Sequence, residues 1–519
     1  MQNAYRLYRL EPLICARWCH PGLPVLGQRL ELPPMRFFIT LIASSIAFLA
    51  YPAVAEPFEH QVNAILEEAG EGTRWGVVVA DSTGTELLTM DPDGRFMPAS
   101  NTKIFTTTAA LWLASSGDGL TDRGGGASVR LVPSGRTGPP DAVLTGYGDA
   151  WMSGAADCAS DCLSTLADAV AGRTREVHDV IGDATVFPDQ RWSPGMSWNN
   201  IPTRSGTAIS ALSIDSNELA ATISPGALGN PPEVDFPTYF TVENYARTVP
   251  GASEAITYDR VPGSQTLILT GTIGTESEPS RLRLGVDDPA HYAAWQLAEM
   301  LRVRGVRVSG NIDVRRRPLL PEDDPAIRGT APAARAPEEP ALAYLNPPPL
   351  DDDILLINKI SQNLHAELLL RRLGRIRGSG SIADGQAVIR AMLDEAGVAE
   401  HGVSLSDGSG MSSYNRVSPR SMVRLLTWVS GQPWGDQWRV TLPVGGKDGT
   451  LGRRFTDTAL AGRISAKTGS INATRALAGY MTARSGRQLV FAIYANDVPD
   501  DVDATAIMDR ALLQIAAAN

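Results

Sequence analysis

Ser100 and Lys103 stand three residues apart, directly after Met97-Pro98-Ala99. If a helix starts there, the two side chains share one face and the lysine amine reaches the serine hydroxyl. A serine hydroxyl is a weak nucleophile until an adjacent base takes its proton, and a helix N-terminus adds backbone N–H donors for developing negative charge. Taken alone, Ser-x-x-Lys reads more readily as an N-capped helix with one exposed lysine. The cation inventory sharpens the reading. Of 46 Lys and Arg residues only four are lysines, Lys103, Lys359, Lys447 and Lys467. Arginine stays protonated in proteins, whereas a desolvated lysine can be tuned into a base, so each lysine is a candidate for a position that arginine cannot fill.

Lys467-Thr468-Gly469-Ser470 holds a second rare lysine just before two apolar alternating segments near the end of the chain. On an edge strand, a cation and a hydroxyl can hold a carboxylate, and Gly469 lets a substrate backbone come close. The third element, Ser-x-Asn, occurs twice. Ser361-Gln362-Asn363 has Lys359 two residues upstream and is the preferred copy; Ser413-Tyr414-Asn415 follows Asp407-Gly408-Ser409-Gly410 and reads adequately as a surface turn.

These residues need elements to position them. A helix is expected over 60–69, strands over 75–79 and 86–90 around an Asp81-Ser82-Thr83-Gly84 turn, and a helix from Pro98-Ala99 through Leu113. From about 121 to 340 the texture changes to short β-branched segments separated by Gly and Pro, interrupted by one helix over 290–304. Residues 315–349, rich in Pro, Ala and acidic side chains, read as a long connection. Helical periodicity returns at 353–360 and 363–373, two strands follow over 476–482 and 488–496, and a last helix covers 504–517. Mixed elements at both ends around a β-rich middle indicate an insertion.

The 519 residues, 43% hydrophobic and 20% charged, can bury a large core. A net charge of -11 without a Lys/Arg run excludes nucleic acid as a partner. Met35-Arg36, an apolar run from Phe37 to Leu49, Pro52 and Ala53-Val54-Ala55 have the layout of a secretory signal peptide cut after Ala55, with residues 1–34 as an upstream extension. An N-terminal membrane anchor needs a longer apolar span. That leaves Cys158 and Cys162 in the exported chain; an exported pair can bridge, although i, i+4 spacing does not assure it. Six scattered histidines without a His-Glu-x-x-His or Cys/His cluster give a metal site no support, and no cofactor is expected.

Taken together, these motifs resemble the serine D-alanyl-D-alanine carboxypeptidases/endopeptidases of the penicillin-binding protein 4 type. The resemblance extends through Gly146-Tyr147-Gly148-Asp149, Ala211-Leu212-Ser213, Asp407-Gly408-Ser409-Gly410-Met411-Ser412 and Leu442-Pro443-Val444-Gly445-Gly446. It implies a multi-domain α+β chain: a penicillin-recognising (β-lactamase/transpeptidase-like) domain built from residues 56–120 and 345–519, with two inserted β-rich domains in 121–344. It implies Ser100 as the acylated nucleophile, Lys103 as base, Ser361 as proton relay, Asn363 on the substrate amide, Lys359 as electrostatic support, and Lys467 with Thr468 at the terminal carboxylate, Gly469 and Ser470 completing that substrate-binding strand. Backbone N–H groups of Ser100 and Ser470 would form the oxyanion hole. Crowding of Lys103, Lys359 and Lys467 is expected to depress at least one lysine pKa by like-charge repulsion. The implied partners are peptidoglycan stem peptides and inhibitory β-lactams, with at most peripheral membrane association.

In two places the chain departs from the pattern. Where relatives that act on diaminopimelate carry an acidic side chain in a Trp-rich loop and an arginine after the Gly-Met/Leu-Ser run, this chain has Asn199 or Asn200 and Ser413. Weaker or altered recognition of that zwitterionic group is the expectation. Two other functions remain in play: a β-lactamase, for which no Glu-bearing deacylation loop is evident between the first two motifs, and an inactive cell-wall-binding scaffold of the same fold.

Overall fold

The two ends of the chain meet in one five-stranded antiparallel sheet, ordered Ile464–Ile471, Thr474–Thr482, Gln488–Asn496, Arg74–Asp81, Glu86–Met90. This computed structural model describes residues 58–519 except 118–124, 136–137, 336–339 and 348, so the expected extension (1–34) and signal peptide (35–55) lie outside the described residues. Strand periodicity of two divides the apolar side chains between two layers. Leu489, Phe491, Ile493 and Ala495 face the helices Phe58–Glu67 and Ala504–Ala518, while Val490, Ala492 and Tyr494 face the other side. That second layer contains Thr102–Ser115, Leu350–Lys359, Asn363–Arg377, Ile382–Glu395 and Pro419–Ser430. The strand bearing Lys467 is an edge strand, as expected; its first residues pair with 443–445, through the Gly445 N–H on the Ile464 carbonyl and the Ala466 N–H on the Pro443 carbonyl, both at 3.0 Å.

Two of these helices carry start signals that the periodicity alone does not bring out. Ser381 accepts from the Asp384 N–H at 3.0 Å, and Ser418, followed by Pro419, accepts from the Ser421 N–H at 3.2 Å. Both are N-caps of the usual kind.

The middle of the chain forms a second five-stranded sheet, ordered Ile312–Arg317, Val180–Pro188, Asp141–Gly146, Ala127–Val132, Ala343–Leu345. Two helices, Leu163–Arg173 and Pro289–Val303, share its core; the first was not expected. Smaller sheets lie beyond it, one around Thr266–Gly274 and one around Glu218–Ser224. The expected long connection needs correction. Its ends are strands: Ile312–Arg317 pairs in parallel with Val180–Pro188, and Ala343–Leu345 pairs antiparallel with Ala127–Val132. Both are sheet edges, where polar and charged residues are tolerated, so an arginine-rich segment such as Arg315-Arg316-Arg317 hides its strand character.

The loop after Asp141–Gly146 is tied to the helical layer by a buried polar knot. Asp353 accepts from His365 Nδ1 at 2.7 Å, Arg372 at 3.1 Å and the Trp151 indole at 3.3 Å, with His365 and Arg372 about two turns apart on the Asn363–Arg377 helix. Burial opposes the Asp353 charge, but the His365 and Arg372 contacts outweigh it and hold its pKa below the ordinary value. Removing one partner of such a buried set strands the others, so Asp353→Ala is expected to cost about 3 kcal/mol in urea unfolding. A loss below about 1 kcal/mol would mean the knot is not a structural tie.

Candidate active site

The nucleophile turn is unusual in its backbone. Ala99 sits in the left-handed region at φ 47°, beginning a short 3-10 turn, Ala99–Asn101, that runs into the helix Thr102–Ser115. Asn101 donates to the Lys467 carbonyl at 2.7 Å, locking this turn to the edge strand. Gly469 completes the fit, since a Cβ there would lie 2.7 Å from the Pro98 carbonyl and 3.2 Å from the Ser100 nitrogen. Half-buried Ser100 therefore lies between helix start and strand edge.

Lys103 is fully buried. Its Nζ reaches Ser100 Oγ at 3.0 Å, Asn363 Oδ1 at 2.7 Å and the Ser409 carbonyl at 2.6 Å. Two of those partners are pure acceptors. A neutral amine has two N–H bonds, which Asn363 and Ser409 take, so its lone pair is left for the Ser100 hydroxyl proton. Burial lowers the Lys103 pKa to about 7, against the pull of the Asp407 and Glu367 carboxylates. The amine is thus poised near neutrality, where a general base works best.

Lys467 is also fully buried and donates to Ser361 Oγ at 2.9 Å and to the Thr468 carbonyl at 3.0 Å. Ser361 adopts φ 64°, a left-handed conformation that aims its hydroxyl at the strand. Burial pushes the Lys467 pKa well below that of an ordinary lysine, and the charge of Lys103 adds to the effect. The expected direction holds, but repulsion is the secondary cause. Lys359 takes no part: its ammonium binds both Asp448 carboxylate oxygens, at 2.7 and 2.8 Å, and the Leu442 carbonyl. It anchors the loop that carries Thr450, whose hydroxyl meets Thr468 at 2.7 Å. Its support of the site is through that loop, with its charge neutralised by Asp448.

Ser100, Lys103, Ser361, Asn363, Lys467, Thr468 and Gly469 thus converge, and Ser470 continues the same edge strand, exposed. The second Ser-x-Asn triplet is a turn with Tyr414 exposed, but its asparagine does more than tolerate the turn. Asn415 is fully buried, donates to Asp407 at 2.6 Å and accepts from the Ser406 N–H at 2.6 Å, bracing the loop behind Lys103.

With this geometry in place, comparison with known proteins is decisive. The profile of the D-Ala-D-Ala carboxypeptidase 3 (S13) family matches residues 58–518. The chain belongs to that family. Among S13 relatives, the D-alanyl-D-alanine carboxypeptidase of Actinomadura sp. (strain R39) is 31% identical, over 88% of this chain and 84% of its own length. The D-alanyl-D-alanine carboxypeptidase DacB of Haemophilus influenzae is 23% identical over 84% of this chain and 88% of its own. The crystal structure of penicillin binding protein 4 from Haemophilus influenzae superposes with a TM-score of 0.71 at 22% identity, covering 88% of this chain and 97% of that one. The expected multi-domain, penicillin-recognising fold of the S13 chain therefore holds.

Sequence reasoning missed Ser409 and Glu367 in this S13 site. Ser409 acts through its carbonyl, so its residue type carries no signal. Glu367 lies one helical turn beyond Asn363, and that i, i+4 spacing was the available clue. The Cys158–Cys162 pair, left open on spacing alone, is a disulfide.

Proposed function

We propose that this S13 carboxypeptidase is an exported serine DD-peptidase that hydrolyses D-Ala–D-Ala ends of peptidoglycan stem peptides through an acyl-enzyme at Ser100. D-Ala–diaminopimelate cross-links are the further substrates, and β-lactams inhibit by acylating the same serine. The observation that carries this reading is the Lys103 amine, whose two carbonyl acceptors leave its lone pair on Ser100 Oγ.

Lys103 takes the hydroxyl proton as Ser100 Oγ bonds to the penultimate D-Ala carbonyl carbon. The oxyanion is held by the N–H groups of Ser100 and Ser470. As the C–N bond breaks, Ser361, bridged to Lys467, passes its proton to the leaving D-Ala amine and takes in its place the one that Lys103 removed from Ser100, leaving Lys103 neutral for deacylation. Lys467 and Thr468 hold the terminal carboxylate, and an anion there restores the Lys467 ammonium that burial disfavours. Asn363 positions the substrate amide with the N–H left over from its 3.0 Å bond to the Ser205 carbonyl. Water then cleaves the ester, freeing the acid and returning the proton to Ser100.

Export is supported by the apolar leader at 37–49 and by the Cys158–Cys162 bridge, a bond favoured in oxidising compartments. Among the described residues no helix is long and apolar enough to cross a membrane. The division into 56–120 with 345–519 and two inserted β-rich domains in 121–344 is part of the same reading; the separate five-stranded sheets support it, with Ala343–Leu345 of the second sheet at the boundary.

Incubation of the mature protein with benzylpenicillin is expected to add the mass of one opened antibiotic, on the peptide containing Ser100, and incubation with a stem pentapeptide to release D-Ala. Rapid antibiotic loss without an adduct would replace this reading with a β-lactamase. Neither adduct nor turnover would replace it with a cell-wall-binding scaffold. Among the described residues Ser100 Oγ meets Lys103 and no carboxylate, which favours a slow deacylation.

Side-chain selectivity at the third stem position follows from a pocket beside the site. Met196, Trp198, Met411, Tyr414 and Ile471 line it with Ser413, and no lining residue is charged. Asn199 and Asn200 do not line it; Asn199 instead accepts from Ser197 at 2.6 Å. Without a charged clamp, diaminopimelyl and lysyl peptides are expected to turn over within about threefold of each other, a difference below 1 kcal/mol. A preference above about thirtyfold for the diaminopimelyl peptide would overturn this.

A further inference from the structure

Behind Lys103 lies a carboxyl that the mechanism above does not use. Glu367, only 4% exposed, stands one turn after Asn363 on the same helix face. Its Oε1 accepts from the Gly408 N–H at 3.0 Å and the Ser409 N–H at 2.9 Å. That backbone is the one whose Ser409 carbonyl takes a proton of the Lys103 amine, and Thr106 grips it from the other side through the Gly408 carbonyl at 2.8 Å. Glu367 and the nucleophile helix thus clamp one short segment between them. The second oxygen, Oε2, is buried without a protein partner, as is Ser409 Oγ. Both residues line a water-sized recess together with Asn363, Ser205 and Arg191.

We propose that Glu367 is a positioning residue for acylation: it fixes the Gly408–Ser409 backbone that orients the Lys103 amine toward Ser100, and its charge sets the pH at which that amine becomes a base. The charged groups around it are few. Asp407 and Arg371 face Glu367, Arg191 borders the recess, and Lys103 has Asp407, Glu367 and Lys467 about it. Burial first, and Asp407 second, push the Glu367 pKa up to about 7, with Arg371 opposing. Carboxyl and amine therefore change charge over the same pH range. An ionised Glu367 favours the Lys103 ammonium, so neutralising it lets the amine lose its proton at lower pH.

The inference rests on acylation at Ser100, and the test separates the two. Second-order rates of labelling by a fluorescent penicillin are measured from pH 5 to 9 in the full chain, with thermal unfolding as the check on folding. Glu367→Gln keeps an oxygen for both N–H groups and removes the charge. Its acid limb is expected about half a pH unit below the wild type, less than a full charge contact would give because Glu367 is itself partly protonated there. Glu367→Asp keeps the charge but shortens the reach; a rate lowered about tenfold with the wild-type midpoint is expected. A folded Gln variant whose profile superimposes on the wild type overturns the electrostatic role. An Asp variant labelled at the wild-type rate overturns the positioning role, whether or not the Gln variant folds. If the wild type itself is not labelled, it is the proposed function that falls.

Discussion

Lys103→Arg is expected to slow penicillin acylation at least a thousandfold, close to the floor set by Ser100→Ala, which has no hydroxyl to acylate. Charge is retained in the arginine variant, so a purely electrostatic lysine would tolerate it. A base would not. Lys103 is fully buried, with Asn363 and Ser409 as uncharged acceptors, and burial brings its pKa to about 7; a guanidinium in the same place keeps its proton. The wild-type rate should accordingly rise with pH through about 7, because the deprotonated amine is the active form, and flatten above it. Lys359→Arg is the control. Its cation serves Asp448 and the Leu442 carbonyl, which a guanidinium can also bind, so labelling within about threefold of wild type is expected. Near-normal labelling of Lys103→Arg, measured by stopped intact mass, would remove Lys103 from the role of base.

The contrast between these two lysines also shows how far the sequence can be read. Scarcity singled out both, and both proved to be buried or paired, but scarcity does not distinguish a base from an anchor. That depends on Asp448, 89 positions further along the chain. The same limit applies to the two Ser-x-Asn triplets. Half-buried Asn363 and fully buried Asn415 both lie near Lys103, one facing its amine and one bracing the loop behind it, and only the Lys359 nearby favoured the first. What one motif carries within itself was legible: the Ser100-to-Lys103 spacing, the edge strand under Lys467, the two-faced alternation of 488–496. What depends on backbone atoms was not. The Ser409 carbonyl and the left-handed turns at Ala99 and Ser361 are set by packing between segments far apart in the chain, 306 residues for Lys103 with Ser409 and 106 for Ser361 with Lys467, and no side-chain pattern encodes them. Edge strands such as Ile312–Arg317 fail for a related reason, since one unpaired, solvent-facing side dilutes the apolar signal.

Gly410→Ala is expected to slow acylation about a hundredfold while leaving the protein folded. Gly410 has φ 90°, and a Cβ there would collide with the Ala99 carbonyl and come within 2.9 Å of the Ser100 nitrogen. Neither side can yield easily. The Gly410 N–H is held by Asp407 at 2.9 Å, and Asp407 also holds Ser412 at 2.6 Å and Asn415. Opposite it, the Ala99–Asn101 turn is pinned through Asn101 to the Lys467 strand. The added methyl must therefore shift either Ser100 or the Ser409 carbonyl that orients Lys103. A displacement near 1 Å between nucleophile and base is worth about two orders of magnitude in rate. Gly84→Ala separates this from backbone strain alone: its φ of 87° is nearly the same, but it lies in the first hairpin turn, with Thr427 Cγ2 at 3.5 Å as its nearest neighbour. Gly84→Ala should lose about 1–2 kcal/mol in unfolding experiments, the common cost of a side chain in the left-handed region, and Gly410→Ala more than that, because its methyl also meets backbone. Only Gly410→Ala should lose the rate. Equal labelling by the two would show that acylation does not depend on the fixed turn under Ser100.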